Sequence, residues 1–263
     1  MKRLLVAVVA LAIVVAVGVV VGQRLWNRYQ LRRTVDPSTP LADQCDQVPA
    51  NASRITLTAS DGRTLGAALV GPDDATVGVV FRQGASQRIC EWLPWAGQVA
   101  SDTGARILLF DRRGRGSSPG EGDLTKEPDD TLVAVRALRH TGVRRVALVA
   151  SSMGNSIMFS ALPSVRPAPC AVVSISPVLV SGDAHGTVNA TALKRLPQNL
   201  WVTWETGNAG IDDNAKLILS RAGDEGLKDF RQLPVDTTDH SRQLILNHPE
   251  AADFVTQAIE SCR

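Results

Sequence analysis

The chain has 263 residues, a formal net charge of +2 and four cysteines. That length holds a membrane segment plus one domain with a sizeable core. The near balance of charge argues against a nucleic-acid partner, and the densest arginine group, Arg112, Arg113 and Arg115, sits in a glycine-rich loop rather than along one face.

In chain order, Leu4 to Gly22 is uncharged and almost wholly Val, Ala, Leu and Ile. About 19 residues at 1.5 Å each span roughly 28 Å, close to the hydrocarbon thickness of a bilayer. Residues 1–29 therefore read as a signal anchor, with Trp26 and Tyr29 at the level of an aromatic belt. The rival is a cleaved signal peptide, with Ala16-Val17-Gly18 as the small-x-small site. Flanking positives (Lys2 and Arg3 before, Arg24, Arg28, Arg32 and Arg33 after) favour a cytoplasmic domain. The even number of scattered cysteines favours disulfides and an oxidising compartment. The expectation adopted is a single-pass protein of the cell membrane with its domain outside the cytoplasm, or secreted after cleavage.

Residues 30–53, with Pro37, Pro40 and Pro49, read as a polar linker. From Arg54 to Arg263 the pattern is that of one domain. Ile55–Ala59 and Leu65–Val70 flank an Asp61-Gly62 hairpin signal. Further strands follow at Val77–Phe81, Ile107–Phe110, Val146–Ala150, Ala171–Ile175, Leu200–Trp204 and Phe230–Val235. Helical patterns lie between them at 91–103, 128–140, 155–162 and 212–222, and a final helix covers 248–262. Two antiparallel strands followed by strand-helix repeats predict an α/β fold: a mostly parallel central sheet of about eight strands with helices on both faces. Four cysteines allow three pairings. In such a fold a strand start and the end of an antiparallel packed helix share one end, which favours Cys170–Cys262 and leaves Cys45–Cys90. The alternative is four buried thiols.

Val146-Ala-Leu-Val-Ala150-Ser-Ser152-Met-Gly154 reads as a buried strand that runs into a sharp turn and then a helix. Small residues at 150 and 154 let strand and helix approach, which lifts the Ser152 hydroxyl above the sheet and aims the Met153 N–H at whatever Ser152 attacks. An ordinary strand-turn-helix with an incidental serine is the plain alternative.

Three further segments carry a resemblance. Asp111-Arg-Arg-Gly114-Arg-Gly116-Ser117-Ser118 resembles the D-x-R-G-x-G-x-S loop of the α/β-hydrolases. Arg82-Gln83-Gly84-Ala85-Ser86 occupies the place of their H-G oxyanion loop, and Asp239-His240-Ser241 resembles their histidine loop. The resemblance covers about Arg54 to Arg263 and implies a serine hydrolase. Ser152 would be the nucleophile and His240 its base, with the N–H groups of Ala85 and Met153 as the oxyanion hole. His140, His185 and His248 fit worse, at a helix end, in a short connection and before Pro249. The acid departs from the pattern: its usual slot falls at Gly207 or Asn208. Glu205 and Asp212 flank that slot as equal candidates, and Asp183 follows the preceding strand.

The resemblance implies cleavage of an ester, thioester or amide through an acyl-enzyme, with a small-molecule or lipid-like acyl substrate; a peptidase of the same fold is a weaker reading. The connection from Ile175 to Leu200 is short, so one short helix and loops are expected there and only a minimal lid. Trp92, Trp95, Trp201 and Trp204 line a pocket or, more commonly, pack in the core. No metal-ligand cluster or dinucleotide fingerprint occurs, so no cofactor is expected. The alternative function is a non-catalytic α/β-hydrolase-like binding protein with a degenerate triad.

Overall fold

A computed structural model describes residues 34–228 and 230–263. The apolar run at 4–22, and with it the expected anchor, lies outside the described residues. Among the described residues no helix is long and apolar enough to cross a membrane.

The elements in order are α1 (Leu41–Gln44), β1 (Ala52–Thr58), β2 (Thr64–Val70), β3 (Val77–Arg82), α2 (Ile89–Thr103), β4 (Arg106–Phe110) and α3 (Glu127–His140). Then come β5 (Arg145–Ser151), α4 (Gly154–Ala161), β6 (Ala171–Ile175), β7 (Val180–Asp183), β8 (Gly186–Asn189) and β9 (Leu200–Glu205). The chain closes with α5 (Ala209–Asp224), β10 (Arg231–Val235), α6 (Arg242–Asn247) and α7 (Pro249–Glu260). Eight strands form one sheet in the order β1-β2-β4-β3-β5-β6-β9-β10. The pairs β1–β2 and β2–β4 are antiparallel, and the rest are parallel.

The continuous apolar runs are explained by burial on both faces. Along each strand the side chains alternate between two cores. Val80, Leu108, Leu148 and Val202 face the core shared with α3, α4 and α5. Val79, Leu109, Val149 and Val173 face the core shared with α2 and α7. All four tryptophans of the domain pack rather than line an open site. Trp92 is fully buried against Phe81 at 4.4 Å between rings, Trp95 meets Trp92 edge to face at 5.4 Å, and Trp201 meets Phe254 at 4.8 Å.

Two expectations are corrected. The connection after β6 holds no α-helix; it forms the antiparallel hairpin β7–β8. The stretch expected to be a spacer through Ser53 packs on the domain from Val35 onward. Val35 N–H donates to the Gly116 carbonyl at 2.8 Å, Leu41 and Cys45 are buried, and Cys45 is bonded to Cys90. The second disulfide joins Cys170 to Cys262, and no free cysteine remains.

Candidate active site

The site grows from the end of β5. Ser152 has φ +54°, a left-handed conformation that costs a non-glycine residue on the order of 1–3 kcal/mol and persists only when neighbours impose it. Here they do. Ser152 N–H donates to the Ile175 carbonyl at 2.9 Å. The Asn155 amide donates both to the Ser152 carbonyl and to the Ile175 carbonyl, each at 3.0 Å, and so staples the turn to β6. Gly154 cannot be larger: a Cβ there would lie 2.3 Å from the Arg82 carbonyl oxygen. The strand-to-helix crossing thus demands glycine at 154 and tolerates the buried methyl of Ala150.

Two distant segments converge on that hydroxyl. His240 Nε2 lies 2.7 Å from Ser152 Oγ, and His240 Nδ1 lies 2.5 Å from Glu205 Oε1. Glu205 ends β9 and is fully buried, whereas the imidazole is about a third exposed (36%). A carboxylate flanks the ring at Nδ1 and a hydroxyl, which can donate, at Nε2. The arrangement accordingly places the Nδ1 proton toward Glu205 and leaves Nε2 to accept from the serine. The other Glu205 oxygen accepts from Ser176 Oγ at 2.6 Å, and Ser176 Oγ accepts from the Ser241 N–H at 2.9 Å.

Of the two carboxylates that the sequence leaves equal, only Glu205 reaches the imidazole. Asp212 is on α5, where it accepts from Trp204 Nε1 at 2.9 Å and from Lys216 Nζ at 2.6 Å. The Lys216 hydrogen bond is the main reason its carboxyl is held below the usual range. Asp183 sits on β7, 4.0 Å from Arg112. His248 pairs with Asp239 at 3.2 Å and Glu250 at 3.7 Å, and His185 lies in the β7–β8 turn.

The loop after β3 closes the site from the other side. Gln83 is buried and donates to the Phe110 carbonyl at 2.7 Å, so it faces inward. Gly84 passes so close to the serine that a Cβ on it would be 3.1 Å from Ser152 Cβ. The Gly84 carbonyl accepts from the Gln87 N–H at 3.3 Å, and in a trans peptide this turns the Ala85 N–H the opposite way. The Ala85 carbonyl accepts from Arg112 at 3.0 Å. Met153 has helical dihedrals at the start of α4, so no carbonyl one turn earlier is available to its N–H.

Sequence reasoning missed Gln87. Its side-chain oxygen accepts from Gly84 N–H and from Trp92 Nε1, each at 2.9 Å, while its nitrogen donates to Ser241 Oγ at 3.0 Å. Ser241 Oγ also lies 2.6 Å from Ser151 Oγ. The oxyanion-type loop, the elbow strand and the histidine loop are thereby tied through two side chains. Ser176 and Ser241 were missed too. The one signal they leave is backbone: both take positive φ, +47° and +61°.

A cavity of about 370 Å³ opens beside Ser152, lined by residues 84–87, Glu91 and residues 240–243. No large apolar side chain borders it, which is unlike a site for a lipid-like acyl chain.

The arginine-rich loop is structural. Arg82 and Arg112 both bind the buried Glu127, at 2.6 and 2.8 Å, and Arg113 binds Asp130 at 2.6 Å and Asp61 at 2.5 Å. Asp111 is fully buried, which raises its pKa, and it accepts from Ser117 N–H at 2.7 Å and Ile89 N–H at 2.9 Å. A Cβ at Gly116 would strike its carboxylate at 2.2 Å. Among the described residues no cluster of His, Cys, Asp or Glu could hold a metal ion.

The sheet order, crossover pattern and elbow position are those of the α/β-hydrolase fold. Solved structures agree. An esterase from Pyrococcus furiosus superposes with a TM-score of 0.67 at 14% identity, over 80% of this chain and 91% of its own. EstE5, in a crystal soaked with p-nitrophenyl butyrate, gives 0.64 at 16%, over 90% and 96%. An esterase/lipase from an uncultured bacterium gives 0.61 at 16%, over 89% and 95%. No family model and no curated protein matches the sequence.

Proposed function

We propose that this protein is a serine hydrolase that cleaves an ester, thioester or amide through an acyl-enzyme on Ser152. The observation that carries the reading is the unbroken chain Ser152 Oγ–His240 Nε2, His240 Nδ1–Glu205, built from residues 88 and 35 positions apart. A serine hydroxyl is too weak an acid to attack a carbonyl unaided near neutral pH. His240 Nε2 takes the hydroxyl proton as Oγ bonds to the carbonyl carbon, and Glu205 balances the imidazolium charge. The oxyanion of the tetrahedral intermediate lies against the N–H groups of Ala85 and Met153. Collapse breaks the bond to the leaving group, which departs with the proton from His240. Water then attacks the acyl-enzyme by the same relay and frees the acid.

The domain is placed outside the cytoplasm and held to a single-pass membrane segment at residues 4–22. The apolar run and the two disulfides support this placement. Protease digestion of intact cells should degrade the domain, and alkaline carbonate should fail to extract the undigested protein.

The decisive experiment for the chemistry is a fluorophosphonate probe. Wild-type protein is labelled at Ser152, and His240→Ala slows labelling at least about a hundredfold, the typical worth of a general base. Absence of labelling in the folded wild-type domain would instead favour a non-catalytic binding protein.

A further inference from the structure

Resting on the hydrolase reading, we propose that the Ser152 cavity takes a short ester bearing a carboxylate, and that Arg242 is the residue that reads it. The walls favour a polar substrate: Ala85 is the largest apolar side chain among them. Two side chains with full charges line the cavity, Glu91 and Arg242. Glu91 is already engaged. Its carboxylate accepts from the Arg88 N–H at 2.7 Å and from the Arg88 guanidinium at 3.3 Å.

Arg242 is not neutralised in this way. It is half-buried, two residues beyond His240, and its Nε donates to a backbone carbonyl, that of Glu91, at 2.6 Å. That bond anchors the planar fork and leaves the terminal nitrogens as donors, with no carboxylate partner among the described residues. Arg242 borders both this cavity and an adjoining one lined by Arg88, Asp46 and the Cys45–Cys90 bridge. An unneutralised guanidinium fixed at the wall of a partly enclosed cavity selects a planar anion, and a carboxylate matches its fork bidentately.

The test compares esters that differ in one charge. Monoethyl glutarate and diethyl glutarate vary the acyl half; butyryl glycolate and its ethyl ester vary the alcohol half. Acid release is followed in a pH-stat. In at least one pair the anionic ester should show a kcat/KM at least about tenfold higher, as a hydrogen bond to a charged partner allows. Which pair responds tells which half faces Arg242. Arg242→Met should bring that ratio to about one, and Arg242→Lys should restore part of it. If Arg242→Met fails to fold, the wild-type ratio is measured from roughly 10 mM to roughly 1 M salt, where screening should erode it. Equal rates within both pairs, a ratio that survives Arg242→Met, or one indifferent to salt would overturn the proposal. So would faster turnover of p-nitrophenyl laurate than of the butyrate. Fluorophosphonate labelling separates the two readings: labelled Ser152 without charge preference defeats the Arg242 inference alone, whereas no labelling defeats the hydrolase reading beneath it.

Discussion

Replacing Glu205 with glutamine tests the acid directly. The carboxylate is fully buried and offers one oxygen to His240 Nδ1 at 2.5 Å and the other to Ser176 Oγ at 2.6 Å. Both partners donate. An amide has a single acceptor oxygen, so one of them must face an NH2 group. If that partner is His240, the ring proton moves to Nε2, and Nε2 can no longer accept from Ser152. If it is Ser176, the tautomer survives, but the imidazolium formed during attack has no counter-charge beside it. Either outcome acts on the transition state more than on binding. The expected effect is a fall in kcat of about 10³–10⁴, or roughly 4–5.5 kcal/mol, with KM little changed.

Hydrolysis of p-nitrophenyl butyrate and the rate of fluorophosphonate labelling should report the same loss, with thermal unfolding as the control for folding. Glu205→Asp draws the carboxylate back by one bond, roughly 1.5 Å at most, and should fall between wild type and the glutamine variant. Asp212→Asn touches only Trp204 and Lys216 and should stay within about twofold. Glu205→Gln within about threefold of wild type, or an equal loss in Asp212→Asn, would refute the assignment.

Four other outcomes are expected. Glu127→Gln strips the shared carboxylate from the buried Arg82 and Arg112 and should cost about 3–5 kcal/mol in urea unfolding; a loss under 1 kcal/mol would contradict the account of that network. The Cys170→Ser, Cys262→Ser double variant opens a 92-residue loop and should lose between about 2 and 4.6 kcal/mol, read as a lowered unfolding midpoint. Asp61 is held at about 2 rather than 3.8, mainly by the Arg113 hydrogen bond. A depressed acid stabilises above its unfolded pKa, so this contribution is lost as pH falls from 3.8 through 2, and the gap in urea midpoint between wild type and Asp61→Asn should close over that window. Gln87→Ala removes the links to Gly84, Trp92 and Ser241; labelling of Ser152 should slow by about tenfold as the loop after β3 loosens, and unchanged labelling would limit Gln87 to packing.

The fold is legible where burial writes a long signal. Val77–Phe81 carries no polar side chain and Ala171–Ile175 only Ser174, because both faces are covered, and β3 and β6 lie there. The hairpin β7–β8 is illegible for the opposite reason: it has two four-residue strands with a single buried residue each, Ser181 and Val188. The segment before Ser53 misleads because its prolines match a spacer, although the Cys45–Cys90 pairing already implied an attachment to the body of the domain. In the site, Ser152 and His240 stand out by residue type and order. Ser176, Ser241 and Gln87 do not, because a neutral hydroxyl or amide acquires its role only from what the fold sets beside it.

The position of the carboxylate follows from sterics at the mouth of the sheet. Gly207, one of the two positions (with Asn208) where the family pattern would set the acid, has its N–H on the Thr237 carbonyl at 2.9 Å, and a Cβ there would sit 2.6 Å from that oxygen. A side chain of any kind is excluded while β10 feeds directly into the histidine loop. With Gly207 closed to a side chain, the carboxylate that the fold brings to His240 comes from an earlier residue, Glu205. Glu205 is the last residue of β9, paired with Val235 of β10, and glutamate reaches one methylene farther than aspartate. Ser176 then occupies the second carboxylate oxygen and, through the Ser241 N–H, fixes the loop that carries His240. The longer acid, the left-handed Ser176 and the bare Gly207 form one interdependent solution. Restoring an aspartate at 207 while shortening 205 would fail on contact with Thr237 before any chemistry was tested.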